Sequence, residues 1–276
     1  MFFLINYKPG TMFKNIYNKK NNIRQVQHKP DYAVYQTENE SVVMMVLVDL
    51  ALINIAPDQS FPTGLTIHIP YEVKREDRLP EDDQLNKLMA HEDVIINIAE
   101  KNLNHYHIAT ATCGGMRSVC FYISNKNEVR KFLNLIKKEI GTASGEFSFN
   151  EYSDPEWNSY LQGFYPNPFQ MQMINNHRVV QQLKLSGDHS QTPREISHYA
   201  FFNDENQMKD YQAWLEKNSF DINTVSKTDT GEYRLEFTRI DMPDYNSINE
   251  VCLPLWDKAD ELGGKYDGWE TGIVKM

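Results

Sequence analysis

The sequence of 276 residues lacks any apolar run of the ~18 residues that a membrane-spanning helix needs. The longest candidate, residues 42–56, is interrupted by Asp49 and Asn54. Residues 1–5 are apolar, but they are too few for the core of a signal peptide, and no charged lead precedes them. These absences predict a chain that neither spans a membrane nor is secreted, and therefore a cytoplasmic protein.

Cysteine is scarce, with three residues at Cys113, Cys120 and Cys252. None belongs to a CxxC pair, and an odd count argues against a disulfide framework. A tight turn between the first two would place Cys113 opposite Met116 and not opposite Cys120. We therefore expect a reducing compartment, in agreement with a cytoplasmic location.

The common catalytic motifs are also missing, since the sequence has no P-loop, no dinucleotide-binding GxGxxG and no G-x-S-x-G nucleophile. His105 and His107 could share one face of a strand, but no third metal ligand follows at a standard spacing. No general base is tied by sequence to Cys113. The acidic residues 81–83 fit the opening of a helix better than a pair of catalytic carboxylates. We therefore expect no enzyme, no cofactor and no metal site.

The C-terminal part has fewer basic than acidic residues. From residue 150 onward there are 21 Asp and Glu against 11 Lys and Arg, whereas residues 1–149 contain 17 of each. Such a field repels nucleic acid and attracts basic surfaces, so it argues against nucleic-acid binding by this part. The alternative is that the acidity only keeps the domain soluble.

Acidic residues are missing from residues 1–30, which contain six Lys and Arg. An organellar transit peptide, a basic anchor and a start assigned upstream of a true one at Met12 all fit this composition. We predict a basic, disordered tail.

Hydrophobic periodicity predicts an α+β domain over residues 31–165. Two β-rich runs at 31–35 and 41–49 suggest a hairpin, and residues 64–73 alternate apolar and polar side chains as a strand does. The next elements are expected to be a helix opening near 79–83, a hairpin over 105–124, a helix near 132–140 and a strand near 146–152. From residue 64 the order is β-α-β-β-α-β, the ferredoxin-like arrangement.

The same order returns after a proline-rich junction. The segment up to residue 165 contains Trp157, Tyr160, Phe164 and Tyr165, and we call it the aromatic segment. We expect it to pack on the first domain as proline-broken helical turns, and we expect residues 166–175 to be a linker. The second domain, residues 176–276, has an extra helix near 173–185 before its own β-α-β-β-α-β series. The fold class predicted is therefore α+β, with two tandem ferredoxin-like domains and antiparallel sheets.

The most specific string in the sequence is GGKYDGWE at residues 263–270. Its first two glycines can end a helix through left-handed backbone geometry, and Gly268 permits a bend or bulge. Trp269 either buries its ring or, beside Asp267 and Glu270, forms a surface contact for a basic partner. Both interpretations stay open from the sequence. The residues assigned to a structural role are Gly263, Gly264 and Gly268.

This string resembles the C-terminal motif of the regulator B family of ribonuclease E inhibitors. The resemblance extends over about residues 175–276 and includes further upstream positions, namely Arg178, Leu183, Gly187, Asp188, Pro193, Arg194, His198, Tyr199 and Phe201. It implies a ferredoxin-like domain that binds a ribonuclease and lowers its activity without catalysis. Residues 31–165 resemble, more loosely, a domain of unknown function often found ahead of this inhibitor domain.

The resemblance implies a protein partner, possible contact residues and no activity of its own. The partner is a ribonuclease or another RNA-processing protein, bound through its basic region. The residues predicted to contact it are Tyr266, Asp267, Trp269, Glu270, Arg194 and His198. Because a typical inhibitor of this family stands alone, the added domain leaves the ribonuclease target open.

Two other classes of function remain as alternatives. Ferredoxin-like sheets with exposed aromatic side chains can stack RNA bases, but residues 198–202 offer aromatics without basic neighbours along the strand. A small-molecule sensor or enzyme that uses a cleft between the two domains would need an apolar pocket with convergent polar groups. A pocket of this kind is not visible in a sequence, so this alternative stays open.

Overall fold

The computed structural model of the chain describes residues 28–39, 42–140, 147–189 and 191–275. Most of the predicted basic tail, residues 1–27, lies outside the described residues. In the described ranges, no helix is long and apolar enough to cross a lipid bilayer. The chain divides into two compact units, Met1–Pro166 (unit 1) and Asn167–Met276 (unit 2).

In its described part, unit 1 is a six-stranded antiparallel sheet with two α-helices. The elements in chain order are β1 (Tyr32–Asn39), β2 (Val42–Asp49), β3 (Thr63–Pro70), α1 (Asp82–Asn102), β4 (His105–Cys113), β5 (Met116–Ile123), α2 (Val129–Ile140) and β6 (Ser148–Ser153). The strand order is β1-β2-β4-β5-β3-β6. Strands β3 to β6 thus have the ferredoxin-like arrangement, and the β1-β2 hairpin extends the sheet beside β4.

The start of α1 follows from local chemistry. The side chain of Gln84 accepts a hydrogen bond from the backbone N–H of Glu81, 3.1 Å away, as in a capping box. Asp82 and Asp83 lie in the first turn, where the helix dipole favours negative charge. Pro80 directly precedes the cap residue Glu81. Residues 141–146, which follow α2, lie outside the described residues.

Both helices of unit 1 pack on one face of the sheet because strand alternation gathers apolar side chains there. The buried residues of this core include Leu65, Ile67, Ile69, Ile95, Val119, Phe121, Ile123, Phe132 and Ile136. Between α1 and the sheet lies one buried ion pair, in which Arg117 Nε donates to Glu92 Oε2 at 3.0 Å. Thr110 and Thr112 complete the hydrogen bonds of the pair, so the buried charges are compensated.

An aromatic segment covers the opposite face of this sheet. Trp157 stacks on Tyr122 with ring centroids 4.4 Å apart, and its indole N–H donates to the carbonyl of Phe61. Tyr160 lies in a single π-helical stretch, Ser159–Phe164, and its hydroxyl donates to the carbonyl of Asp49. The packing predicted for this segment is therefore found in the structure.

Unit 2 has a four-stranded antiparallel sheet in the ferredoxin-like order β10-β7-β9-β8. Its elements are α3 (Pro168–Leu185), β7 (Arg194–Phe202), α4 (Glu205–Lys217), β8 (Asp221–Lys227), β9 (Tyr233–Asp241), α5 (Tyr245–Glu261) and β10 (Lys265–Glu270). The side chain of Asn167 caps α3 by accepting from the backbone N–H of Gln170. Helix α3 therefore begins inside the segment expected as a linker, because Asn167-Pro168 is a helix start and not a break.

The helices of unit 2 pack together on one face of its sheet. The core includes Val180, Leu183, Ile196, Ala200, Phe202, Tyr211, Leu215, Leu235, Phe237, Ile248, Cys252 and Leu255. The predicted fold class is confirmed, since both units are α+β with the β-α-β-β-α-β order and antiparallel sheets.

Candidate functional site

The C-terminal string begins where α5 ends. Gly263 has a φ of 70°, a left-handed conformation that a glycine adopts without strain. Gly264 has a different role from the one predicted, because its φ is not positive and the ring of Phe202 occupies the position of a side chain. The two glycines thus end the helix and let β10 approach β7 closely.

Strand β10 contains a bulge that decides which of its side chains are buried. Its pairing with β7 shifts register between Tyr266 and Gly268, and Gly268 has a φ of 108°. Without the bulge, Tyr266 and Trp269 would point to opposite faces because they are three residues apart. With it, both point toward the helices, at 4% and 7% exposure.

Tyr266 lies in a buried polar group with His198 and Cys252. Its hydroxyl is 2.8 Å from Nδ1 of His198 and donates to Sγ of Cys252 at 3.2 Å. Burial lowers the pKa of His198 to about 3, with a smaller contribution from the charge of Arg239. Burial also raises the pKa of Cys252 to about 12. These groups are neutral near pH 7, and Nε2 of His198 has no hydrogen-bond partner among the described residues.

Trp269 attaches the extra helix α3 to the rest of unit 2. Its indole N–H donates to Oδ1 of Asn176 at 3.1 Å, and the side-chain amide of Gln172 donates to the same oxygen at 2.9 Å. The amide N–H of Asn176 donates to Oδ1 of Asn249 on α5 at 2.9 Å. Buried amides of this kind need partners, so the network fixes α3, α5 and β10 in one arrangement.

Arg194 joins the start of β7 to the C-terminal segment. Its Nη2 donates to Oδ2 of Asp188 at 2.7 Å, and Oδ1 of Asp188 accepts from the backbone N–H of Val274. Burial raises the pKa of Asp188, but the bonds from Arg194 and Val274 outweigh it, and the net shift is downward. Arg194 is therefore committed to an internal ion pair.

Of the two interpretations of Trp269 that the sequence left open, the structure shows the buried ring. Trp269, Tyr266 and His198 belong to the core of unit 2, because the bulge turns two of them inward and His198 lies on the helix-facing side of β7. Of the predicted contact residues, Asp267 and Glu270 are exposed.

The sheet of unit 2 has a second face, which we call the open face. Among the described residues of this unit, the helices pack on the other side of the sheet. On β7, the residues that alternate with the buried Ile196, His198, Ala200 and Phe202 are exposed or half-buried. The open face includes Glu195, Ser197, Tyr199, Phe201, Arg234, Glu236, Thr238, Ile240, Lys265 and Glu270, with Asp267 beside it in the bulge.

Tyr199 is the centre of this face. Its hydroxyl donates to Oε1 of Glu270 at 2.6 Å, and the guanidinium of Arg234 lies over its ring, 4.9 Å from the centroid. The bond to Glu270 is the main cause that raises the pKa of Tyr199 to about 12, followed by burial and by the charges of Glu270 and Glu236. The face presents half-buried aromatic surface surrounded by carboxylates.

Arg234 was not predicted as a site residue, because the prediction rested only on the neighbours of the aromatic residues within β7. It pairs with Phe201 across β7 and β9 and thereby comes beside Tyr199. The signal that could have found it is the alternation of Arg234 and Glu236 with the apolar Leu235 and Phe237. This arrangement supplies one basic neighbour to the aromatics, although Arg234 is paired with Glu236 at 3.4 Å.

The residues considered for catalysis lie in unit 1. His105 and His107 both contact the ring of Phe121 on the helix-facing side of β4, and burial lowers the pKa of each. Cys113 is half-buried, and burial raises its pKa, which disfavours the nucleophilic thiolate. In the described part of the chain, no group of three or more His, Cys, Asp and Glu is placed to hold a metal ion.

Comparisons with solved structures and curated proteins add little. A protein described as a glycine cleavage system transcriptional repressor is 10% identical, with 76% of this chain and 98% of that chain covered at a TM-score of 0.24. An unknown protein from Galdieria sulphuraria is 14% identical, with 77% and 99% covered at a TM-score of 0.21. Neither score supports an inference about function. No curated protein matches the chain.

Comparison with family models is informative for both units. Residues 173–271 match the family described as Regulator of ribonuclease activity B, and residues 31–165 match a family of unknown function (DUF695). The order of the two domains is the one predicted from the sequence. The chain thus combines a match to the regulator of ribonuclease activity B family over residues 173–271 with a preceding match to a family of unknown function over residues 31–165.

Proposed function

We propose that unit 2 regulates a ribonuclease by binding a basic segment of that enzyme, or of a protein associated with it, on the open face of its sheet. The observation that carries the proposal is the composition of this face. Tyr199 and Phe201 supply half-buried aromatic area, and carboxylates surround them. Aromatic area within a charged rim is the usual composition of a protein interface, and the sign of the charge selects a basic partner.

Charge favours a protein over RNA as the occupant of the open face. The cations are Arg234 and Lys265, and each is already paired with a carboxylate, Arg234 with Glu236 and Lys265 with Asp267. RNA binding on such a sheet depends on free cations that contact the phosphates of the RNA. On the open face, the carboxylates would repel those phosphates. RNA recognition by unit 2 is thus less favoured than recognition of a basic protein segment.

The proposed mode of regulation is competition and involves no catalysis. A ribonuclease attracts RNA through basic surfaces, and an acidic face of comparable charge density can cover such a surface. Covering it would lower the rate of RNA cleavage in proportion to occupancy. Because the contact is electrostatic, the regulation should weaken as salt concentration rises.

The experiment reverses charge on the open face without touching the core. The variant carries Glu195→Lys, Asp267→Lys and Glu270→Lys, all at exposed positions. A matched control carries Asp210→Lys, Glu216→Lys and Asp257→Lys, which are exposed positions on α4 and α5. We would measure two quantities in an extract of the source cells: cleavage of a labelled RNA with each protein added, and recovery of a ribonuclease on each immobilised protein.

The expected result is that the unaltered chain and the helix variant both recover the ribonuclease and change the cleavage rate, whereas the open-face variant does neither. Equal behaviour of the two variants would contradict the assignment of the open face. Recovery of RNA without any ribonuclease by the unaltered chain would contradict the proposal itself. Circular dichroism of each protein checks that all three remain folded.

A further inference from the structure

A second charged surface, opposite in sign, lies on helix α2 of unit 1. Residues 31–165 contain 11 Lys and Arg, and five of these fall within residues 126–138. All five are exposed: Lys126, Arg130, Lys131, Lys137 and Lys138. The buried side of α2 consists of Val129, Phe132 and Ile136, so the cations lie on the side directed to solvent.

The cations of α2 share one side of the helix. At 3.6 residues per turn, Arg130 and Lys137 align along the axis, as do Lys131 and Lys138, and each pair is separated by roughly 10 Å. Asn134 lies between them, and Glu139 is about half a turn away from Arg130. We call this surface, with Lys126 just before the helix, the basic stripe.

Helix stability does not account for the basic stripe. Lys137 and Lys138 in the last turn interact favourably with the helix dipole, but Arg130 and Lys131 occupy the first turn, where positive charge is unfavourable. The first turn of α2 contains no acidic residue, and Glu128 directly precedes the helix. None of the five cations forms an ion pair with another described residue. The arrangement stabilises a bound anion better than it stabilises the free helix.

We propose that the basic stripe binds the phosphate backbone of single-stranded RNA. A protein partner would need an aromatic or aliphatic anchor, and the exposed positions of the stripe hold only Lys, Arg and Asn. Phosphates need no such anchor, and Arg and Lys are the side chains that contact them most. The same lack of aromatics means that the stripe does not stack bases, so its binding is independent of sequence.

The inference goes beyond the function proposed for unit 2 and uses none of its residues. Together the two assignments would give the chain one surface for a protein and another for RNA. Since each lies in a different unit, either can fail without the other.

The test is fluorescence anisotropy with a labelled single-stranded RNA of mixed sequence and the full chain. The stripe variant carries Arg130→Gln, Lys131→Gln, Lys137→Gln and Lys138→Gln. A control of equal net charge carries Lys87→Gln, Lys101→Gln, Lys209→Gln and Lys217→Gln, all exposed. Because residues 1–30 are also basic, a third variant carries Lys14→Gln, Lys19→Gln, Lys20→Gln and Arg24→Gln.

We expect the stripe variant to lose affinity on the order of tenfold or more at low salt, and the other two variants to lose much less. The slope of log K against log salt should become less negative by about 3, at roughly 0.7 for each lost phosphate contact on a single strand. No RNA binding by the unaltered chain, or an equal loss in the control or tail variant, would overturn the proposal. Displacement of RNA by polyuridylate but not by polyglutamate would support it, and the reverse would overturn it.

Discussion

Trp269 illustrates how one side chain can determine the stability of unit 2. It fills the space between β10 and α3 and donates to Asn176, so its removal leaves a cavity and takes away one of the two hydrogen bonds that the Asn176 oxygen accepts. We expect Trp269→Ala to lower the free energy of unfolding by ~3–5 kcal/mol. Trp269→Phe retains most of the buried area but loses the N–H, and should cost less, about 1 kcal/mol. Urea denaturation followed by circular dichroism measures both values.

Asp267 provides the control for the tryptophan series. It is exposed and next but one to Trp269 in the chain, so Asp267→Ala should change stability by no more than about 0.5 kcal/mol. A cost for Trp269→Ala as small as this would mean that the ring does not support the fold, and that the sequence motif has its main role in contact with another molecule.

His198 makes the stability of unit 2 depend on pH. Its pKa is about 3 in the folded chain and about 6.5 when exposed, so below pH 6.5 the unfolded state binds a proton that the folded state does not. Stability is therefore fully present above pH 6.5 and falls by about 1.4 kcal/mol for each pH unit below it, down to about pH 3. We expect His198→Gln to be less stable at neutral pH but to lose about 2 kcal/mol less than the unaltered chain between about pH 6.5 and 5.

Hydrogen exchange of β7 and β10 at the two pH values measures this effect within unit 2 alone. Unit 1 has a buried histidine of its own, His105, with a pKa lowered by burial to about 4, so global unfolding would mix the two contributions. An unchanged pH dependence in His198→Gln would show that this imidazole is protonated or solvated in the folded state.

At the scale of elements, the position of β10 in its sheet depends on two glycines for two different reasons. Gly264→Ala places a methyl group against the ring of Phe202, and overpacking of this kind costs ~1–3 kcal/mol. Gly268→Ala meets open space, but its φ of 108° is strained for alanine, at ~1–3 kcal/mol. Gly272→Ala meets neither obstacle and should be neutral. Thermal denaturation of the three variants checks the series, and equal costs at all three positions would contradict it.

The strand positions of unit 1 follow from hydrophobic alternation in the sequence. The strand starts of unit 1 were predicted to within two residues, because alternation such as Leu65, Ile67, Ile69 reports directly which face is buried. The ends were less accurate, since β1 ends four residues later and β3 three residues earlier than predicted. The bulge at Asp267-Gly268 was also anticipated as a possibility. The effect of the bulge on Trp269 was not anticipated. A bulge reverses the side of the sheet to which all later residues of the strand point, and the sequence does not show at which residue the bulge lies.

The open face could be predicted only in part for a related reason. Its aromatic residues lie in a single strand and are visible in the sequence, but the carboxylates and Arg234 reach them from β9 and β10. Contacts across a sheet depend on register, and register depends on turns and bulges that the periodicity does not fix. The buried amides Asn176 and Asn249 were missed for the same reason, since they come together from helices 73 positions apart in the chain.

At the scale of the whole molecule, charge is separated more sharply than the net value of −10 suggests. Residues 1–30 carry only positive charge, the α2 segment of unit 1 concentrates five cations, and the open face of unit 2 is dominated by carboxylates. The net charge of the whole chain therefore describes neither the open face of unit 2 nor the basic stripe of unit 1. If both proposals hold, a basic protein segment on the open face and RNA phosphates on the basic stripe should each bind more weakly as salt concentration rises, because both contacts are between opposite charges.

The different burial of the three cysteine thiols allows the opening of each unit to be followed by chemical modification. Cys120 is buried in unit 1 and Cys252 in unit 2, whereas Cys113 is half-buried at a hairpin turn. In the folded chain an alkylating reagent should modify Cys113 first, and modification of the other two requires their own unit to open. Mass spectrometry of the alkylated peptides would then time the opening of each unit separately, without any engineered label, and equal rates at Cys120 and Cys252 would mean that the two units open in a single step.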